Sequence, residues 1–337
     1  MAKIKRVLLI AFALASLVST TFAGIKVPDK YVSLKAGDER IVFFYYPTDV
    51  RAARYLAELA PQMLKRIGDV FDDELKNFSA QIIVAHSLAD YKLLDPLAPS
   101  WSVGRAYPEL DAIIMLSGHA ANKAGLKTEP DKLLAHELFH LVMHERVHTE
   151  LPRYFEEGVA RYLSGEMGLS TFRILSLAII RRNLIPLGQL VSNFPLPPER
   201  AELAYAESES FVWFLADRYG PRFLGQLFSA LERNPDFAGV IENLTGKPLW
   251  NLESMWRSFL TNHHTVFLVL DPSWFLWWVV VLLMLCAGIY KIASSRRRLK
   301  KMKAEELAED IGQMGQGGKI TPFGPDFDRK RDKAFKN

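Results

Sequence analysis

Cysteine is nearly missing from this sequence. A single cysteine in 337 residues excludes a disulfide framework and any cysteine-rich metal cluster. No segment recurs at a fixed period, so solenoid and array architectures are excluded as well. A basic excess is also lacking where a folded domain would sit. Residues 24–290 hold 26 basic and 31 acidic side chains, a net of −5, which argues against nucleic acid as a partner. Hydrophobic residues (49%) and charged residues (24%) occur at ordinary globular levels, which excludes general disorder. The length leaves room for one large domain or two modest ones.

The positive charge is concentrated at the two ends, beside apolar runs. Lys3, Lys5 and Arg6 precede an apolar stretch from Val7 to Val18, followed by small residues at Thr21 and Ala23. This pattern predicts a signal peptide over residues 1–23. An uncleaved anchor is the competing reading, although the apolar run is short for a span. Pro272 to Tyr290 is a 19-residue stretch without a charge and predicts a transmembrane helix at 271–291. Trp274, Trp277 and Trp278 open it, and Arg296, Arg297, Arg298, Lys300, Lys301 and Lys303 follow it. Interfacial tryptophans on one side and basic residues on the other place the C-terminus in the cytoplasm. The expected order is therefore signal peptide, extracytoplasmic domain 24–270, single span, and cytoplasmic tail 292–337. Cys286 falls inside the span. An exported domain free of cysteine suits a bacterial inner membrane with the domain in the periplasm. Residues 291–337 carry 13 basic and 7 acidic residues, and the tail holds a glycine-rich stretch, Gly312 to Gly318. It reads as a partly disordered topology signal, or as a dock for a cytoplasmic partner.

Within 24–270 a small α/β portion precedes a helical one. Arg40–Tyr46, Gln81–Ala85 and Ala112–Leu116 read as strands. Val50–Phe71 reads as a helix that Pro61 should kink or split. Residues 86–111 are turn-rich, with Pro96, Pro99, Gly104 and Pro108. From Pro130 onward, helical patterns cover roughly 131–148, 152–164, 170–182, 202–219, 221–233 and 250–263.

The chemistry is concentrated between 136 and 157. In His136-Glu137-Leu138-Phe139-His140, two histidines one helical turn apart can meet one Zn²⁺ at about 2.0–2.1 Å. Glu137 then lies beside the metal as a general base on zinc-bound water. Seventeen residues after His140 comes Glu157, in a segment that Pro152 opens as a new helix. Two antiparallel helices joined by a short loop would bring Glu157 over both histidines. That leaves a fourth position open, which is the catalytic arrangement. Gly158 and Ala160 are small and would let the second helix pack closely on the first.

The pair His-Glu-x-x-His and Glu-Gly-x-Ala-x-Tyr resembles the gluzincin metallopeptidases. It is nearer their aminopeptidase-like branch and the bacterial peptidase MA-like proteins than thermolysin, whose aspartate four residues after its glutamate ligand is here Arg161. The likeness extends to Ala204–Leu215, Arg218-Tyr-Gly220, Leu244–Leu249 and Trp256, covering about residues 40–263. It implies an α+β fold: a small N-terminal sheet with helices, then a mostly helical half. It further implies one zinc per chain on His136, His140 and Glu157, with Glu137 as base and a peptide or protein as substrate. The strand Ala112–Leu116 would be the edge along which an extended substrate pairs. No Gly-x-Met-Glu-Asn amine-binding motif is present, which leans toward an endopeptidase.

Other residues carry two readings. Tyr205 opens the helix expected to line the cleft, so it is either the oxyanion donor of such sites or an interior tyrosine with a satisfied hydroxyl. Glu156 competes with Glu157 for the metal, but the residue directly before the glycine is the family's ligand. His144 and His148 extend the histidine row, but each step drifts about 40° round the helix, so they read as an exposed helix end rather than a second metal site. His263 and His264 read as solvated, Tyr162 as packing, and Glu129 and Asp131 as a helix start. Two rivals to a peptidase remain: a peptidase-shaped envelope scaffold without activity, and a purely structural zinc closed by a fourth ligand such as His144.

Overall fold

A computed structural model describes residues 25–316 except 38, 100, 127 and 271; for 263–275 and 312–316 the backbone alone is described. The expected signal peptide, the side chains of His263 and His264, and the end of the tail lie outside the described residues.

Five short strands form one mixed sheet: β1 (Val32–Ala36), β2 (Ile41–Tyr45), β3 (Ala80–Ala85), β4 (Gly104–Tyr107) and β5 (Ala112–Leu116), in the order β1-β2-β3-β5-β4. β2, β3 and β5 run parallel, with Phe43 opposite Ile82 and Ile82 opposite Ile113. Because β3 and β5 are covered on both faces, they read as continuous apolar runs rather than alternating ones. β1 and β4 close the two edges antiparallel. The expectation that Ala112–Leu116 is the edge strand is therefore corrected: β5 is interior, and β4 holds the edge. Gly-Arg-Ala-Tyr has neither β-branched enrichment nor alternation, so nothing local marks it as a strand. Pairing with the strongly apolar β5 makes it one.

Helix α1 (Val50–Phe71) crosses from β2 to β3. It is not split at Pro61. That residue removes one bond from the helical ladder, but its ring lies on the exposed face. Ala53, Leu56, Ala60, Met63 and Ile67 hold the opposite stripe against the sheet. Two short helices, α2 (Leu88–Leu94) and α3 (Gly118–Lys123), follow β3 and β5.

The helical half comprises α4 (Pro130–Arg146), α5 (Arg153–Ser164), α6 (Leu169–Arg181), α7 (Pro198–Tyr219), α8 (Phe223–Leu231), α9 (Phe237–Thr245) and α10 (Leu249–Leu270). α9 falls between two expected helices and was not anticipated by the periodicity. α7 is the central element, with thirteen buried residues. Gly158 of α5 faces it: a methyl there would clash with the Ser208 carbonyl and sit 2.8 Å from Val212 Cγ2. The glycine thus serves the α5–α7 contact, not the expected contact with the preceding helix. Trp256 of α10 is fully buried, and its Nε1 donates to Ser210 Oγ of α7 at 3.1 Å.

α7 also buries an acid. Glu207 is fully buried; Oε1 accepts from Ile185 N at 2.9 Å, while Oε2 has no partner. Burial raises its carboxyl to about 8, against the opposing pull of Ile185 N–H and of Arg257 and Arg200. A folded-state value above the ordinary 4.5 means the native chain holds a proton the unfolded chain releases. Stability is then lost as pH climbs from about 4.5 to about 8. Glu207→Gln should remove that loss, gaining on the order of 1–3 kcal/mol at pH 8 and little at pH 4.5. Urea midpoints of both chains across that range check it.

The C-terminal unit, described by itself, is the long helix α11 (Pro272–Gln316). From Leu276 it is long and apolar enough to cross a membrane. Trp277, Trp278, Leu282, Leu283 and Leu285 are exposed along it.

Candidate metal centre

α4 presents His136, Glu137 and His140 to one side because Leu134, Leu138, Leu141 and Val142 bind the other side to the core. α5 starts where Arg153 N donates to Val191 O at 2.7 Å and Tyr154 N to Leu190 O at 3.1 Å. An incoming loop thus satisfies the first-turn donors that a helix leaves orphaned. One turn later stands Glu157.

The three expected metal-binding side chains come together. The Nε2 atoms of His136 and His140 are 3.1 Å apart. Glu157 Oε2 lies 3.4 Å from the first and 3.8 Å from the second. These separations suit ligand atoms sharing one tetrahedral ion at about 2.0–2.2 Å. The far nitrogens are held by carboxylates: His136 Nδ1 donates to Glu166 Oε1 at 2.9 Å, and His140 Nδ1 to Glu156 Oε1 at 2.9 Å. A ring that donates through Nδ1 keeps its Nε2 lone pair. Two lone pairs and a carboxylate oxygen facing one point repel unless a cation lies between them, so the donor set fits a metal ion.

Electrostatics agree. Burial works against a charged His136, but Glu157 and Glu166 outweigh it and raise the imidazole to about 9. His140 is likewise raised, through Glu156 and Glu157, against burial. Burial alone would push Glu157 up; the two histidines hold it well below the ordinary carboxylate range. The surrounding carboxylates thus favour positive charge at this point, which protons on the imidazoles supply when no metal is bound and which a metal ion would supply in their place.

Glu137 is placed differently. It is 7% exposed, burial raises its carboxyl, and its carboxylate accepts from the Ala106 backbone N–H of β4. The edge strand is pressed against it: a methyl on Gly104 would lie 2.8 Å from Leu133 Cδ1 and 3.2 Å from Glu137 Oε1. A larger residue there would have to displace the Leu133 side chain and crowd the Glu137 carboxylate.

Tyr205 is half-buried near this centre. Phe194 packs edge-on against its ring at 4.8 Å, and the Arg161 guanidinium lies 5.7 Å from the ring centre. Burial, then Glu157, raise its hydroxyl, while Arg153, within hydrogen-bonding reach, lowers it. Glu156 is not gathered with the three candidate ligands; it holds the outer nitrogen of His140. His144 is exposed, and His148 is exposed beyond the helix end. Neither joins the cluster among the described residues. Tyr162 packs against the core, and Glu129 caps α4 and pairs with Lys132.

Sequence reasoning missed Glu166. Its carboxylate accepts from Ser164 Oγ at 2.9 Å and pairs with Arg161 Nη1 at 2.6 Å. Arg161 Nε donates to Glu209 Oε2 of α7 at 3.2 Å, and Thr171 Oγ1 donates to that oxygen at 3.4 Å. A chain of charges therefore runs from His136 through Glu166 and Arg161 to a fully buried Glu209. A cleft of about 940 Å³ opens beside His140, with Pro108, Glu156, Arg153 and Phe237 in its walls.

A small mixed sheet above a His-Glu-x-x-His helix, with a glutamate returned by the next helix, defines a gluzincin-like peptidase fold. The chain belongs to the Peptidase MA superfamily, whose sequence profile matches residues 88–262. Solved structures that resemble it include yeast LTA4 hydrolase in complex with bestatin, at 13% identity and a TM-score of 0.40, covering 63% of this chain and 36% of that one. Another is Legionella pneumophila aminopeptidase A in complex with aspartic acid, at 15% identity and a TM-score of 0.41, covering 67% and 27%. The chain thus spans well under half the length of either protein. No curated protein matches the sequence.

Proposed function

We propose that this chain is a zinc-dependent endopeptidase anchored in a bacterial inner membrane by α11, with residues 24–270 in the periplasm and the basic tail in the cytoplasm. The observation that carries the reading is the convergence of His136 Nε2, His140 Nε2 and Glu157 Oε2, with a buried glutamate alongside. The substrate is a peptide or protein chain, and the tail offers a dock for a cytoplasmic partner.

His136, His140 and Glu157 would hold one zinc ion. Zinc bound there supplies a Lewis acid for the scissile carbonyl and lowers the pKa of water. Glu137, seated by the Ala106 N–H, takes the proton from the attacking water and passes it to the leaving amine nitrogen. Tyr205 donates its hydroxyl to the oxyanion. Glu156 and Glu166 keep the two imidazoles in the tautomer that leaves Nε2 free. The cleft beside His140 has room for substrate residues on that side of the scissile bond, which supports cleavage within a chain.

The zinc content of the purified full-length chain tests this first. About one zinc per chain is expected, falling sharply in Glu157→Ala. A folded native chain that carries no zinc after exposure to it would sink the reading.

A further inference from the structure

Arg153 is the first residue of α5. Its guanidinium reaches one turn forward, placing Nη2 3.3 Å from Glu157 Oε1. That is the oxygen turned away from the histidines; Oε2 is the one that faces them. The same guanidinium lies within hydrogen-bonding reach of the Tyr205 hydroxyl and 5.3 Å over the Phe194 ring. Phe194 is the ring packed edge-on against Tyr205. One cation therefore touches the metal-side carboxylate, the tyrosine hydroxyl and the aromatic that supports the tyrosine. The buried Nε of Arg153 has no partner, so its polar contacts run through the Nη end.

A carboxylate with both oxygens free can swing, or hold a metal through either or both of them. A guanidinium on Oε1 occupies that oxygen and leaves Oε2 as the single donor. The planar fork can serve a second acceptor at the same time, whereas a lysine ammonium is a compact point charge on a flexible stem. We infer that Arg153 is a positioning residue of the metal centre: it holds Glu157 to one-oxygen donation through Oε2 and aligns the Tyr205 hydroxyl with the position thereby left open. This rests on the zinc reading above and adds to it a residue outside the ligand set.

The test uses the full-length chain in detergent, stripped of metal and titrated with Zn²⁺ against a chromogenic chelator, and with Co²⁺ followed by visible absorption. Cobalt absorption weakens as coordination number rises, so it reports whether Glu157 gives one oxygen or two. Arg153→Ala should weaken zinc binding by about 10–100-fold and reduce the cobalt bands. Added guanidinium ion should restore them. Arg153→Lys retains the positive charge and a long aliphatic stem while removing the planar fork, yet its cobalt bands should also change. Native cobalt spectra and native zinc affinity in both variants would overturn the inference, even with a lowered melting temperature. A native chain that takes up neither ion would overturn the zinc reading and this inference together, an outcome distinct from the first.

Discussion

Glu137→Gln should reduce peptide cleavage by about 10²–10⁴-fold while the zinc content stays at the native level. The substitution keeps shape and volume, and the glutamine carbonyl can still accept from the Ala106 N–H that seats the native carboxylate. What disappears is the basic oxygen. Burial raises the Glu137 carboxyl, and a base closer to neutrality transfers protons more efficiently than an ordinary carboxylate. Metal retention separates this outcome from loss of a ligand, because Glu137 is not among the three convergent donors. Cleavage of denatured casein and of a mixed fluorogenic peptide set, alongside zinc analysis, provides the measurement. Undiminished cleavage by the variant would rule out Glu137 as the base.

Arg161→Met should cost about 3–5 kcal/mol of stability. Arg161 lies between Glu166, at 2.6 Å, and a Glu209 with no solvent exposure. Methionine fills the space but leaves Glu209 with Thr171 as its remaining partner. Burial already raises Glu209, opposed chiefly by Arg161; without the guanidinium it must be protonated or destabilise the fold. The same change frees Glu166, which orients His136, so zinc affinity should fall by about 10–100-fold. Chemical denaturation of the metal-free chain reads the first effect, and chelator competition reads the second. Arg161→Met combined with Glu209→Gln should recover much of the stability but not the affinity. A double variant equal to the single one in stability would show that the charge pair is not the cause.

The parts of the site readable from the sequence were those fixed by helical geometry. His136 and His140 share a face by spacing alone, and a short connection returns Glu157 to them. Glu166 was hidden because its position depends on Gly165, which takes a φ of +72° just past the end of α5. That turn brings the next side chain back toward His136, and no periodicity encodes it. Arg161 stood out only as the residue that occupies the position where the thermolysin branch carries an aspartate. Its role becomes clear only once Glu166 and Glu209 are placed on either side of it. β4 was invisible for a related reason: its four residues become a strand through β5, not through their own propensity. Gly158 was rightly read as a close-packing position, but its partner lies some fifty residues along the chain in α7. Sequence distance of that order carries no local signal.

The split origin of the site matters for how the chain assembles. The candidate metal ligands come from α4 and α5, neighbours along the chain, so bringing them together closes only a short loop and costs little entropy. The seat of Glu137 is different. It needs β4 on the sheet edge, and that edge depends on parallel pairs, β2 with β3 and β3 with β5, that join segments separated by intervening helices. Non-local pairings of this kind form slowly. Opening of the edge strand would therefore leave the candidate ligand cluster standing while exposing the Glu137 carboxylate, because the three convergent donors are held by two neighbouring helices and the cover over Glu137 comes from the sheet.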